Sequence, residues 1–249
     1  MIFADLHVHS NYCDGRDEPE ALVLAALERG LKTLGILAHS YVSFDPKGSL
    51  PPEREREFVA AIGVLKEKYK GQIKLLCGME KDVFSEVDTS AFDYVIGSVH
   101  YFSVDGKYYP VDLSEETFCR VVQECFDGDF YAAAENYFRS ASAVVERTGA
   151  DVIGHFDLIA KYNGENKYFD PTNSRYVSAW KGAVDRLIKY GKPFEINTGG
   201  IYRGYRSEPY PSLEIGEYIK ASGGKLILSS DAHNKNGLAF EFDKWKERI

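Results

Sequence analysis

The chain has 249 residues, of which 44% are hydrophobic and 27% are charged, a length and composition that suit one soluble domain over residues 1–249. The formal net charge is −8, which argues against long nucleic acid as a partner because no excess of cations is available to neutralise phosphates. A small phosphorylated substrate is not excluded, since it needs only a local positive site.

Short apolar runs rich in Val, Ile and Leu alternate along the chain with longer segments of helical periodicity. The predicted strands are Phe3–Val8, Thr33–Ala38, Ile73–Met79, Tyr94–Val99, Asp151–Phe156, Pro193–Asn197 and Lys225–Ser229. The predicted helical segments are Pro19–Arg29, Glu53–Tyr69, Glu115–Gly149 (interpreted as two helices), Asn173–Tyr190, Ser212–Ala221 and Asn236–Arg248. This alternation predicts a parallel α/β fold. A doubly wound sheet is an alternative, but no glycine-rich phosphate loop follows the first strand.

All six histidines fall at the C-terminal ends of predicted strands. They are His7 and His9 in "DLHVHS", His39 in "GILAHS", His100 in "VIGSVHY", His155 in "DVIGHFD" and His233 in "LILSSDAH". Three carboxylates accompany them: Glu80 in "LLCGME", Asp231 two residues before His233, and Asp14 five residues after His9. Because the C-terminal strand ends of a parallel barrel meet on one face, we expect these nine side chains in one cleft.

The pattern favours a metal site over a set of ordinary core histidines. A polar row on barrel strands is unfavourable unless its members are paired or bound to metal. One buried histidine is usually a satisfied core residue, but six at equivalent strand ends reverse that preference. The nine donors suit two or three divalent ions, with one carboxylate bridging. All are nitrogen or oxygen donors, so zinc is expected, and manganese and iron remain open.

Three cationic residues are predicted to bind phosphate oxygens. Arg203 and Arg206 follow the sixth strand in "NTGGIYRGYR", and Lys161 follows the fifth. Arginine matches phosphate with two donors. The alternative for all three is solvated surface charge. Arg16, beside Asp14, is a weaker candidate.

Four further polar residues are predicted to lie around the ligands. Asp5 is expected to orient a histidine, and Asp157 is given a similar supporting role. Glu195 and Asn197 share a strand face; they either hydrogen-bond to the ligands or pair with Arg or Lys inside the barrel.

The cysteines and apolar runs indicate the compartment. The cysteines form no Cys-x-x-Cys pair and are interpreted as reduced thiols, with Cys13 as a packing residue; they are Cys13, Cys77, Cys119 and Cys125. No apolar run approaches the roughly 20 residues that span a bilayer, and the N-terminal residues are unlike a signal peptide. We therefore expect a cytoplasmic protein without a membrane partner; the sequence leaves its oligomeric state open.

Taken together, "DLHVHS", "CDG", the histidine after the second strand, "GME", "GSVHY", "GHFD" and "SSDAH" resemble the polymerase and histidinol phosphatase family of metal-dependent phosphoesterases. The resemblance implies a distorted (β/α)7, TIM-like barrel with a trinuclear metal centre. The segments "GHFDLIAKY" and "EINTGGIYRG" look most like the stand-alone histidinol-phosphate phosphatases of that family. This likeness implies hydrolysis of L-histidinol phosphate to L-histidinol and phosphate in histidine biosynthesis.

The resemblance also implies how the ligands are divided. One ion would bind His7, His9, Glu80 and Asp231. A second would share Glu80 and add His100 and His155. A third would bind Asp14, His39 and His233. The sequence departs from the family pattern at Leu37-Ala38-His39, where the family often has Thr-Asp-His.

The chemistry expected of this centre is in-line attack on phosphorus by a hydroxide that bridges two ions, without a phosphoenzyme. Asp231 and His233 are the candidates for assisting the leaving alkoxide. Tyr101, Tyr202 and Tyr205 either line a pocket for an imidazole ring or pack ordinarily. An alternative substrate is a nucleotide 3′-phosphate or phosphotyrosine. A non-catalytic metal-binding domain and an amide-hydrolysing barrel remain as further alternatives; the full ligand set argues against the first, and the lack of a strand-end lysine against the second.

Overall fold

The computed structural model describes residues 4–248. Its strands are β1 Ala4–His9, β2 Thr33–His39, β3 Lys74–Asp82, β4 Tyr94–Ser98, β5 Tyr101–Val104, β6 Lys107–Pro110, β7 Val152–Ile153, β8 Phe194–Asn197 and β9 Leu226–Ser229. Its α-helices are α1 Pro19–Glu28, α2 Glu55–Lys68, α3 Glu115–Phe126, α4 Phe130–Ala141, α5 Val144–Thr148, α6 Ser174–Leu187, α7 Gly199–Tyr202, α8 Leu213–Ala221 and α9 Phe242–Trp245.

Seven strands form one parallel sheet that almost closes on itself. The strand order is β1-β2-β3-β4-β7-β8-β9. Beyond the end of β9, Ala232 bridges Val8 of β1, where the peptide N–H of His9 donates to the Ala232 carbonyl at 2.8 Å. The predicted distorted, TIM-like barrel is therefore confirmed, and β5 with β6 forms a separate antiparallel hairpin.

The floor of the barrel is filled by an aromatic ring from β4. Tyr94 packs inside with Leu37, Ile96 and Val152. Glycines are required beside it: a Cβ at Gly35 would lie 2.2 Å from the Tyr94 hydroxyl oxygen, and one at Gly78 would lie 2.4 Å from its ring. The interior is thus packed below the strand ends, which leaves the C-terminal face as the place for a site.

The helices pack outside the strands, and local signals set where they begin. Pro19 opens α1, where its missing N–H is not needed. The Ser114 hydroxyl caps α3 by accepting from the Thr117 N–H, and Asp129 caps α4 by accepting from two N–H groups. Buried apolar faces of these helices join the strands in two large cores.

The seven predicted strands are all present, although Phe3, predicted to open the first, lies outside the described residues. The segment Glu115–Gly149 forms three helices, where two were expected. The segment Asn236–Arg248 is not one helix, because the backbone turns through positive φ at Ala239 and Glu241. The hairpin was missed, although its Asp105-Gly106 turn, with both φ positive, is a strong hairpin signal.

Within residues 4–248, no helix combines the length and apolarity that crossing a membrane would require.

Candidate metal centre

The barrel gathers the nine predicted ligands at the C-terminal ends of its strands. β1 carries His7 and His9, β2 ends at His39, and β3 carries Glu80. The other five follow strands: Asp14 after β1, His100 after β4, His155 after β7, and Asp231 and His233 after β9. Four overlapping groups each place their ligand atoms within 4.8 Å of one another: His9–Asp14–His39–His233, His7–Glu80–His155, His7–His9–Asp231 and His39–Glu80–His100.

Glu80 lies at the centre of the cluster. Its two oxygens lie within 3.3 Å of ring nitrogens of five histidines, which are His7, His9, His39, His100 and His155. Glu80 Oε2 is fully buried and has no hydrogen-bond partner among the described residues. A buried carboxylate oxygen ordinarily has such a partner. Its surroundings therefore fit a carboxylate that bridges cations.

A second part of the cluster lies around Asp14. Its Oδ2 is 3.1 Å from His233 Nε2, and its Oδ1 is 3.5 Å from His39 Nε2. The ring of His9 stacks on the rings of His39 and His233, with both centroid distances 4.3 Å. Asp14, His39 and His233 are more exposed than Glu80, so this part of the cluster opens toward solvent.

Asp231 connects β9 to the cluster through an unusual backbone conformation. Its φ is 50°, a region that few residues other than glycine adopt. Its Oδ1 lies 3.6 Å from the Nε2 atoms of both His7 and His9. Strain of this kind is often found where a side chain must be aimed at a site.

The donor set fits divalent metal ions. His7 Nε2 and His9 Nε2 lie 3.1 Å apart, a separation natural for two nitrogens that face one ion at about 2.0–2.1 Å. Every ligand atom is nitrogen or oxygen, and several groups of three or four are available. The described residues can therefore hold more than one ion.

The charges of the cluster oppose the effect of burial on the pKa values of two carboxylates. Burial alone would raise the pKa of Glu80, but His39, His7 and His100 hold it well below its usual range. Burial likewise works against ionisation of Asp231, whose pKa Arg203 and His7 hold well below normal. Both carboxylates are thus ionised at neutral pH.

The histidines differ from one another. Burial, followed by His39 and His233, lowers the pKa of His9 to about 3, so its ring is neutral. Burial opposes the charged form of His100, but Glu80 and Asp82 raise its pKa to about 10. A metal ion at His100 would therefore displace a proton.

Two buried carboxylates orient histidine rings by contacting their Nδ1 atoms. Glu195 Oε2 lies 2.9 Å from His7 Nδ1, which leaves His7 Nε2 facing the cluster. Asp82 Oδ2 lies 3.3 Å from His100 Nδ1. Such contacts fix the tautomer and direction of a ligating ring. Two roles were predicted for Glu195, and the structure shows the first: its carboxylate contacts the ring of a candidate ligand, His7.

Asp5 and Asp157 do not have the roles expected of them. The Asp5 carboxylate accepts hydrogen bonds from the Ser230 hydroxyl at 2.6 Å and from backbone N–H groups, and contacts no histidine ring. Asp157 accepts from the Ser212 N–H and pairs with Arg206, away from the His155 ring. Both carboxylates hold loops together.

The predicted phosphate-binding cations divide into two kinds. Arg203 donates from Nη2 to Asp231 Oδ2 at 2.8 Å and lies at the cavity wall. Lys161 also lines the cavity, where it donates to the Asp112 carbonyl at 2.8 Å. Arg206 is not brought into the cavity: it is buried against Asp157 and stacks 4.6 Å from the Tyr210 ring centroid. The structure gives Arg206 a structural role instead of the predicted phosphate contact.

A cavity of about 450 Å³ opens above the cluster, within the usual size range for small-ligand sites. Sequence reasoning missed three acidic residues of its wall, which are Asp45, Asp82 and Asp112. Asp82 carried a signal, since it ends β3 two residues after Glu80 and so shares its face. Asp45 and Asp112 lie in long connections, where no periodicity marks them.

The cavity also has cationic and aromatic residues at its walls. Arg16 and Lys47 line it, and their side chains have no acidic partner within 4 Å among residues 4–248. Tyr101 and Tyr205 line it as well, whereas Tyr202 donates to Asn234 Oδ1 outside the lining. The four free cysteines form no disulfide within the described chain, and Cys13 packs its sulfur 3.4 Å from His9 Nδ1.

Comparison with known families matches residues 5–199 to the PHP domain. Histidinol-phosphatase from Bacillus subtilis is 26% identical over 268 aligned positions, which cover 98% of this chain and 98% of the relative.

Two solved structures share the fold. One, a protein from Listeria monocytogenes, matches with a TM-score of 0.84 at 18% identity, over 97% of this chain and 99% of that one. The other is histidinol phosphate phosphatase from Lactococcus lactis, complexed with zinc, L-histidinol and phosphate. It matches with a TM-score of 0.72 at 22% identity, over 99% of this chain and 92% of that one.

Proposed function

The chain belongs to the PHP domain family, and from that premise we propose that it is a metal-dependent phosphatase acting on L-histidinol phosphate. The observation that carries the proposal is the convergence of six histidines, Glu80, Asp14 and Asp231 in one cluster, of which four histidines and the three carboxylates line the cavity. The relative from Bacillus subtilis is named histidinol-phosphatase, and the similarity extends over almost the whole length of both chains. This supports the same substrate here.

We propose the division of ligands implied by the family resemblance, with two or three ions and zinc as the expected metal. The contacts of Glu80 support its place between two of the ligand groups. The group around Asp14 supports a further ion nearer solvent. Bound divalent ions would supply an activated water and neutralise charge on the phosphate oxygens.

The protein's own residues would bind and orient the phosphate. Arg203 is held by Asp231 so that its guanidinium lies beside both the ligands and the cavity. Its Nη1 is 3.2 Å from His233 Nδ1, which places the cation next to the proposed leaving-group residues Asp231 and His233. We expect Lys161 to contribute less to phosphate binding, because its ammonium group already contacts Asp112.

The contrast between cations at the cavity and the negative net charge of the chain suits a small dianionic ester as substrate. Arg16 and Lys47 add positive charge at the open side of the cavity, while the net charge of the whole chain is −8. A few cationic side chains at the cavity of an acidic protein favour a small phosphate over a polyanion. This balance supports a metabolite substrate over a nucleic-acid end.

The test is phosphate release from L-histidinol phosphate, nucleoside monophosphates and a phosphotyrosine peptide, measured before and after chelation. We expect release from L-histidinol phosphate that chelation abolishes and added zinc or manganese restores. A clear preference for one of the other esters would replace the substrate. No release from any ester by metal-loaded protein would overturn the proposal that this is a phosphatase.

A further inference from the structure

One acidic residue of the cavity wall is not a candidate metal ligand and has no basic side chain next to it in the described part of the chain. Six carboxylates line it, and five have a basic side chain within 4 Å: Asp14, Glu80, Asp82, Asp112 and Asp231. The sixth, Asp45, has no such partner among residues 4–248. Lys47, two residues further along the same connection, does not come within that distance. Asp45 therefore presents an uncompensated negative charge to the cavity.

The Asp45 carboxylate is held in place by one neighbour. The hydroxyl of Tyr101 donates to Asp45 Oδ2 at 3.2 Å. Asp45 Oδ1 accepts no hydrogen bond within the described chain, which leaves one carboxylate oxygen available to a ligand.

Two further aromatic rings lie close to Tyr101, the residue that donates to this carboxylate. The ring of Phe44 meets Tyr101 edge to face at 4.9 Å and stacks on Tyr108 at 4.3 Å. Phe44 and Tyr108 do not line the cavity themselves, but they remain 39% and 37% exposed next to Tyr101. A carboxylate beside aromatic rings is a combination that recognises organic ammonium groups.

We propose that Asp45 and Tyr101 form a subsite for the ammonium group of the substrate. This inference rests on the proposed function and deepens it: the enzyme would select phosphomonoesters that carry a primary amine. The metal cluster and Arg203 would hold the phosphate, and Asp45 would hold the opposite charge at another wall of the same cavity. Neutral alcohol phosphates would lack this second contact.

The experiment compares two substrates, L-histidinol phosphate and its amine-free analogue 3-(imidazol-4-yl)propyl phosphate. In the Asp45→Asn variant, KM for the amine substrate should rise about tenfold to a hundredfold, the loss expected for a hydrogen bond to a charged group. Its kcat should stay within about twofold, as should both constants for the analogue. Tyr101→Phe should shift KM in the same direction by less, because the carboxylate keeps its charge.

The control variant is Glu53→Gln, which removes an equal charge from an exposed residue of the same connection, outside the cavity lining. It should leave both substrates unaffected. Wild-type protein that hydrolyses neither ester overturns the proposed function. Wild-type protein that hydrolyses both equally well, or an Asp45→Asn variant that affects neither or both alike, overturns the ammonium subsite alone. Metal content and melting temperature, measured on each variant, separate these results from a misfolded cluster.

Discussion

Replacing Glu195 with glutamine is expected to weaken metal binding although Glu195 is not a proposed ligand. Glu195 is fully buried behind His7. On one side, its Oε1 accepts from the His155 N–H at 2.6 Å and from Asn197 Nδ2 at 2.9 Å. On the other, its Oε2 accepts from His7 Nδ1 at 2.9 Å and from the Ser229 hydroxyl at 2.6 Å.

A glutamine side chain has only one oxygen, and the backbone decides where it must lie. The peptide N–H of His155 cannot become an acceptor, so the amide oxygen has to stay at the Oε1 position. The amide NH2 then faces His7 Nδ1, which must present a lone pair to it. The proton of the ring moves to Nε2, the atom that faces Glu80 and His9. A protonated Nε2 cannot bind a metal ion.

The expected loss is about 10- to 100-fold in metal affinity, or about 1.4–2.7 kcal/mol. Competition with a chromophoric chelator measures it, and phosphate release at limiting zinc should fall in parallel. Ser229→Ala is the matched control, because it removes one donor to Glu195 but keeps the charge and the His7 contact. It should change metal affinity by less than about threefold. A folded Glu195→Gln variant that binds metal as tightly as wild type would show that Glu195 does not set the tautomer of His7.

Three further predictions concern the same centre. Glu80→Gln should remove metal and activity together, and full activity with full metal content would contradict the bridging position. Arg203→Ala should lower kcat/KM for phosphate esters at least about tenfold; unchanged KM and turnover would remove Arg203 from the phosphate site. In chelated protein, the pairing of protonated His100 with Glu80 stabilises the fold fully below about pH 6.5. That contribution is lost as the pH rises through about 10, the raised pKa of His100. The melting temperature of chelated protein should therefore fall between about pH 6.5 and 10, and the zinc-loaded protein should lack this step; identical profiles would contradict the raised pKa.

The sequence allowed prediction of the barrel and the gathering of its ligands for a simple reason. Parallel strands that are buried on both faces appear in the sequence as continuous apolar runs, and the histidines lie at the ends of those runs. One topological rule then places His7 and His233 in the same cleft, although they are 226 positions apart. The period of the strand predicted the shared face of His7 and His9 directly.

Pairing among buried polar groups could not be predicted in this way. Asp5 and Glu195 are both buried carboxylates on strands, and only the three-dimensional arrangement shows that Glu195 faces the His7 ring while Asp5 faces Ser230. Arg206 looked like a phosphate ligand because it follows a strand end close to Arg203. Its partner Asp157 lies 49 positions earlier, and no local pattern reveals that pair.

The most direct test of the account is a metal titration of the chelated protein, with phosphate release from L-histidinol phosphate measured at each ratio of zinc to chain. We expect no release without metal, and activity that keeps rising until more than one ion per chain is bound. Full activity in metal-free protein, or saturation of activity at a single ion, would contradict the proposed multinuclear centre around Glu80.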